Sequence, residues 1–439
     1  ETIQKVKLIN RKKIDLIAAN NLQELLAKEV NMRSSYDNIL GSSIAMQGIS
    51  GQNVKILIDG VPLIGRLNGN IDLSQINLNN VNKVEIIEGP LSVNFGTNAL
   101  AGTINLITTK ENNKKFSSNY NLFYESVGNY NSDMSLSYNN KKTALSLNLA
   151  RKYFDGWSEN EKFSLLPSSQ IADTNRVNTW KPKLQYFGKL QYQIKNKTNN
   201  LRCYYDYYFE KITNLGFPRL PYYETAFDDY YNTKRQNLGL DYMYSFENEN
   251  LHLLSSFNHY KRIKNTYFKD LVTLNQLLTN NNGDQDTSMF NLFMNKLIFS
   301  SFKKDNFNYQ IGIDSKKEEA QGQRINKSRR SLIDHAVFIS SKWKPYSFLA
   351  LKPAIRISYN SKFNVPIIPS LNLMLSKNKF KTRFSYAKGF RSPSLKELFF
   401  EFVDINHNIV GNSSLEAENS DNYQIDFDYE KELSHHKIE

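Results

Sequence analysis

Few side chains in this 439-residue chain have the chemistry to hold a ligand. His407 is the sharpest of them, because a neutral imidazole is a good donor to iron and this one stands in a long polar segment. Arg66 is a second candidate, and Arg324, Arg329 and Arg330 form a cluster whose guanidinium groups suit an anion. Arg391, in the run Gly389-Phe390-Arg391-Ser392-Pro393, joins His407 and Arg66 as a candidate ligand contact. Asp284 and Asp286 lie beside Gly283 in a loop, but two carboxylates fall short of the roughly six to eight oxygens calcium takes, so no firm metal site is assigned. Enzyme chemistry finds no purchase. There is no Ser-His-Asp order, no metal-spaced His pair on one element and no phosphate-cradling Gly loop followed by Lys. The single Cys203 excludes a disulfide framework.

The elements that must position these residues fall into two parts. In residues 1–112, Leu22, Leu25 and Leu26 keep helical spacing behind a capping Asn20 or Asn21. Three apolar runs then read as strands: Val54-Lys55-Ile56-Leu57-Ile58, Val84-Glu85-Ile86-Ile87 and Thr103-Ile104-Asn105-Leu106-Ile107-Thr108. Turns at Asp59-Gly60 and Gly89-Pro90 end the first two, and Gly96 and Gly102 precede the third. This is a small α+β domain.

Residues 113–439 change to period two. Leu145, Leu147 and Leu149 alternate with small polar residues, as do Leu238, Leu240, Tyr242 and Tyr244, and later Tyr423, Ile425, Phe427 and Tyr429. We count about 14 such strands, each near the roughly ten residues a tilted membrane strand needs. Tight turns at 139–141, 195–199, 247–250, 303–306 and 376–379 alternate with long segments at 153–183, 211–234, 264–287, 316–331 and 389–420. A soluble β-sandwich has no reason to keep that alternation, whereas a transmembrane antiparallel β-barrel has short turns on one side and long loops on the other. The 13% aromatic content fits such a wall, with Tyr207-Tyr208-Phe209 and Phe399-Phe400 expected as interfacial girdles. The net charge of +13 comes from scattered lysines, which excludes nucleic acid as a partner.

The ordered motifs resemble those of the TonB-dependent outer-membrane receptors. A plug signature is visible as Ile58-Asp59-Gly60-Val61-Pro62, Ile87-Glu88-Gly89-Pro90 and Phe95-Gly96 through Gly102-Thr103-Ile104-Asn105. In the second part, Gly389-Phe390-Arg391-Ser392-Pro393 resembles the family's Phe-Arg-Ala-Pro box, and Gly411-Asn412-Ser413-Ser414-Leu415 its Asn-Pro-x-Leu box. The resemblance implies a plug over 1–112 inside the lumen of a barrel of about 22 strands. Residues 113–439 would then be a partial barrel, lacking roughly eight C-terminal strands.

The resemblance further implies a receptor of the Gram-negative outer membrane that imports a scarce nutrient with energy from TonB and its inner-membrane complex. Outer-membrane lipid and lipopolysaccharide would surround it, and a surface lipoprotein is a conceivable partner. No cofactor is expected. A ferric siderophore is the commonest ligand of the family. Haem draws on His407, which sits between the two barrel boxes as loop histidines of haem receptors do, and cobalamin on the plug run 63–73. A passive diffusion porin is the alternative from another class, and a plug in the lumen argues against it.

Overall fold

The computed structural model describes the chain except residues 1–2, 66–69, 90–92, 94–95, 97–98, 109–113, 159–175, 282, 303–305, 326–328, 404–407, 430, 434–435 and 439, and gives the backbone alone for 431–433 and 436–438. In the N-terminal part, strand β1 (Lys7–Asn10) runs into helix α1 (Arg11–Ile17), and helix α2 (Leu22–Leu26) follows. Asn10 and Asn21 cap the helices by accepting from the amides of Lys13 and Glu24, so of the two asparagines expected to cap α2 the second does so. Strands β2 (Met32–Asp37) and β3 (Gly41–Met46) form a hairpin. Strands β4 (Val54–Ile58), β5 (Val81–Glu88) and β6 (Gly102–Thr108) join β1 in a mixed sheet ordered β1-β5-β6-β4, with β4 and β6 parallel. The fully buried Leu22, Leu25, Leu26, Val84, Ile104 and Leu106 make this domain's core. The expected helix and all three strands are present.

Among the described residues the wall is a path of fourteen antiparallel strands, each paired with its neighbour in sequence, and a short strand, Gln276–Leu278, pairs beside the path. The fourteen are β7 (Phe116–Glu125), β8 (Asn129–Asn139), β9 (Thr143–Phe154), β10 (Lys183–Lys195), β11 (Asn199–Leu215), β12 (Thr225–Ser245) and β13 (Glu249–Asp270). Next come β14 (Asp286–Ser301), β15 (Phe307–Gly322), β16 (Arg330–Tyr346), β17 (Leu349–Asn360), β18 (Ile368–Lys377), β19 (Phe380–Arg391) and β20 (Glu418–Tyr429). Among the described residues β7 and β20 pair on one side only, so the wall is open.

The wall inverts the polarity of a soluble sheet. Leu238, Val337, Ile357, Ile425 and Phe427 face outward and are exposed, while Arg202, Glu210, Arg235, Asp314 and Arg356 face inward and are buried against the N-terminal domain. Apolar side chains on the outer face of so large a sheet mark a lipid-facing surface. Outward aromatics gather where the short turns lie: Tyr138, Phe246, Phe307, Tyr346, Phe348 and Phe380. That is the interfacial girdle. Of the residues expected to form it, Tyr208 is buried in the lumen, and beyond the strand end Phe399 closes a short helix that Phe400 caps.

Strand lengths correct the sequence reading. β12 has 21 residues and β13 has 22, so 225–234 of the segment expected as a loop at 211–234, and 264–270 of the one at 264–287, are strand. At about 3.3 Å per residue such strands reach roughly 70 Å, far beyond the hydrocarbon core. Above the membrane both strand faces meet water, so no apolar stripe remains to reveal the period.

Candidate functional site

The N-terminal domain fills the lumen and is fastened to the wall by polar contacts. Asp59 and Gly60 form a tight turn with φ of 51° and 83°. The turn places the Asp59 carboxylate where Thr108 donates from its amide (2.9 Å) and hydroxyl (2.6 Å). Arg202 of β11 bonds the same carboxylate at 3.0 Å, holds Asp241 at 2.7 Å with its other nitrogen, and Asp241 meets His252 at 2.7 Å. Elsewhere Gln75 donates to Glu210 and accepts from Arg235, both at 2.9 Å, and Asn77 donates to Asp133. Gly102 has no room for a side chain, since a Cβ there would lie 2.4 Å from the Ile87 carbonyl oxygen. Gly89 and Gly96 both have positive φ and face the wall. Pro90 lies outside the described residues.

At the long-loop end, the domain and the wall leave a cavity of about 710 Å³. Its floor is Ile39, Leu40 and Gln52, and its sides carry Arg262, Lys264 and Arg324 with Tyr231 and Asp286. Its roof is helix α3 (Leu395–Phe399) and the hairpin of Glu401–Val403 with Asn408–Val410, which bring Lys396, Glu397, Phe400 and Phe402. Cations lie over rings throughout: Arg324 is 3.6 Å from the Phe402 centroid, Lys396 4.5 Å from Phe400 and Arg262 4.9 Å from Tyr231. Arg262 also donates to the Ile39 carbonyl at 2.7 Å, which ties the floor to the side. Burial, assisted by Arg324 and Arg262, lowers the proton affinity of Lys396 against the pull of Asp286. Four cations face two carboxylates, and Glu397 is already committed to Arg391, so the cavity favours a negatively charged guest.

The two barrel boxes meet at α3. Arg391 is buried, and its guanidinium bonds Glu418 and Glu397, the latter at 3.0 Å. Glu397 in turn completes a capping box with Ser394. Burial alone would raise the Glu397 carboxyl, but Arg391 and Ser394 hold it below the ordinary value. Asn412 donates its amide to the Glu397 carbonyl at 3.0 Å, and Gly411 does so to Phe400. Arg391 is therefore a brace from β19 to the cavity roof. His407 and Arg66 lie outside the described residues. Arg324 lines the cavity, whereas Arg329 reaches outward to Glu319 and Arg330 lies 4.5 Å from the Phe399 centroid. Asp284 bonds Asn281, Asp286 pairs with Arg324 at 3.4 Å, and no group of three metal-ligating side chains occurs among the described residues. Sequence reasoning missed Arg262, Lys264 and Lys396. The first two were legible as alternate, lumen-facing positions of one strand, but Lys264 was assigned to the segment 264–287 expected as a loop and Arg262 was not singled out.

A polar-lined β-wall around an α+β domain, with a cationic cavity above it, defines an outer-membrane receptor architecture. The chain belongs to the TonB-dependent receptors: residues 1–103 match the TonB-dependent receptor plug domain, and 172–435 match the TonB dependent receptor-like β-barrel. This is a family of outer-membrane transport receptors of Gram-negative bacteria, not of enzymes. Among solved structures it is similar to the siderophore receptor PirA from Acinetobacter baumannii (TM-score 0.74, 14% identity, 97% of this chain and 68% of that one). It is also similar to the ferric yersiniabactin uptake receptor FyuA from Yersinia pestis (0.67, 13%, 98% and 70%). At those identities the likeness concerns the fold. In sequence it is 30% identical over 109 residues to the vitamin B12 transporter BtuB of Vibrio cholerae, a match spanning 24% of this chain and 18% of that protein's length.

Proposed function

We propose that the protein binds an anionic iron complex, a ferric siderophore first of all, at the cell surface and delivers it to the periplasm with energy transmitted by TonB. In this reading residues 1–112 are the plug, 113–439 are part of the barrel, and the protein sits in the outer membrane among lipid and lipopolysaccharide. The observation that carries the reading is the cavity above the plug, where Arg262, Lys264, Arg324 and Lys396 stand beside Tyr231, Phe400 and Phe402. Cations over rings suit a ligand that is both charged and flat-sided. A plug fastened by discrete polar contacts such as Gln75 with Glu210, rather than by a continuous apolar seam, fits a part that must yield under force, because each such hydrogen bond adds only about 1–3 kcal/mol. A porin reading has no use for a plug.

Cobalamin is the second reading, favoured by the identity to BtuB. Uptake of radiolabelled ferric siderophores and of labelled cobalamin into cells with and without TonB tests both. TonB-dependent accumulation of a ferric chelate is expected. Accumulation of cobalamin alone would transfer the proposal to the second reading. A steady, TonB-independent conductance would defeat both in favour of a porin.

A further inference from the structure

Three neighbouring strands of the wall carry outward lysines side by side. Lys211 of β11, Lys234 of β12 and Lys261 of β13 alternate with the buried Glu210, Arg235 and Arg262, so their side chains stand on the outer face. Lys234 and Lys261 are directly opposite each other, and Lys211, opposite Asn232, is diagonal to Lys234. Like charges directly opposite destabilise a strand pair. Nothing relieves these two: neither ammonium has an ion-pair, hydrogen-bond or ring partner among the described residues. The Lys211 ammonium lies 5.0 Å from the Tyr230 centroid. Carboxylates of the same strands turn inward, Glu210 to Gln75 and Asp229 to Lys264. On the outer face Glu319 of β15 is held by Lys317 at 2.9 Å and by Arg329.

The lysines lie where the lipid-facing band ends. A band about 25 Å tall, crossed by strands tilted about 35–45°, takes roughly nine or ten residues at about 3.4 Å each. Counted from the short-turn ends of the strands, at Asn199, Ser245 and Glu249, all three lysines fall just past that limit, at the level of the headgroups. Next to them on the membrane side come polar groups: Gln236 donates to the Tyr205 hydroxyl at 2.9 Å, and His259 meets Asn291 at 2.7 Å. Beyond these Leu238, Phe257 and Phe293 are exposed. Opposite Lys234 on β11, Phe209 stacks with Tyr186 at 6.3 Å. From the membrane outward the face thus offers apolar contact, hydrogen-bonding groups and unpaired cations, the order in which an anionic lipid presents its acyl chains, its polar linkage and its phosphate.

We infer that Lys234 and Lys261, with Lys211 beside them, bind a phosphate of a lipopolysaccharide molecule whose acyl chains lie along Leu238, Phe257 and Phe293. A phosphate shared by the two opposed ammoniums replaces their repulsion with charge-assisted hydrogen bonds. The choice of lipopolysaccharide among anionic lipids rests on the outer-membrane placement proposed above; the site and its need for phosphate do not.

The test is native mass spectrometry of the full-length protein, stripped of lipid in neutral detergent and titrated with lipid A carrying both its phosphates or neither. We expect the diphosphorylated lipid to be retained at least tenfold more tightly, and that preference to vanish in the double variant Lys234→Gln with Lys261→Gln. Thermal melting separates binding from a structural role: the double variant should melt above wild type without lipid, because the repulsion is gone, and below it with the diphosphorylated lipid. Equal retention of the two lipids by wild type would overturn the site, and that arm requires no variant to fold. An undiminished preference in the double variant would overturn it too. Inorganic phosphate binding as tightly as the lipid would overturn the lipid assignment in favour of a free oxyanion. An error in the outer-membrane placement would show differently, as a protein that fractionates away from the outer membrane while keeping its preference for the phosphorylated lipid.

Discussion

Asp59→Asn removes one charge from the plug's attachment and almost nothing else. Asparagine tolerates the left-handed backbone at this position, φ 51°, and keeps an oxygen for the Thr108 amide. What is lost is the ion pair with Arg202 at 3.0 Å, between side chains each 3% exposed. Removing one partner of a buried pair costs about 3–5 kcal/mol. Arg202 keeps Asp241 at 2.7 Å, which puts the expected loss at the lower end, about 3 kcal/mol. By the tenfold-per-1.4-kcal/mol conversion, the population with a released plug rises roughly 100-fold. Pulse proteolysis of the plug across a urea series measures this, with the β-wall followed separately by far-UV circular dichroism. The plug midpoint should fall while the wall is unmoved. A plug shift below about 0.5 kcal/mol, the size of an ordinary surface substitution, would refute the reasoning. The pH dependence gives a second reading of the same pair. Burial alone would raise the Asp59 carboxyl, but Arg202, Lys189 and Thr108 outweigh it and hold it below the ordinary carboxylate value. The folded value lies below the unfolded one, so the contribution is complete above about pH 4 and is lost as pH falls through the folded value. Asp59→Asn should flatten that part of the profile.

Arg391→Lys should keep the fold but loosen the cavity roof, since lysine cannot bridge Glu397 and Glu418 as a guanidinium does; we expect about tenfold weaker ligand capture and faster hydrogen exchange in α3. Gly102→Ala should destabilise the plug by about 2–3 kcal/mol through overpacking against the Ile87 carbonyl and Met46, read as an earlier plug transition in urea. Ligand capture should weaken by several-fold between low and physiological salt, because Lys264 and Arg324 of the cavity are partly open to solvent; salt-independent affinity would contradict the electrostatic account.

Local signals carried the fold further than the site. Asp59-Gly60 and the three plug strands were legible because a turn residue and an apolar run sit side by side. The hairpins were legible because one wall face is apolar wherever lipid meets it. Strand ends were not: β12 and β13 run on where both faces are polar, so Lys264 was counted into a loop and Arg262, two residues before it, went unmarked. The plug fastenings were invisible for a different reason. Arg202 and Asp59 are 143 residues apart, and Gln75 and Arg235 are 160, so neither pattern nor spacing announces the pair. The barrel boxes were recognised as strings, but only the fold reveals that Arg391 and Asn412 act together, from opposite sides, to hold α3. Arg324 was marked as an anion contact and does line the cavity, whereas Arg329 and Arg330, beside it in sequence, turn elsewhere.

The most direct test is equilibrium binding to the full-length protein of a charged ferric catecholate chelate, its uncharged iron-free ligand and cobalamin, each with wild type and Arg324→Gln. The account predicts saturable binding of the ferric chelate, weakened at least tenfold by Arg324→Gln, and little affinity for the uncharged ligand. Equal affinity for the charged and uncharged forms, or binding of cobalamin alone that ignores Arg324, would contradict it.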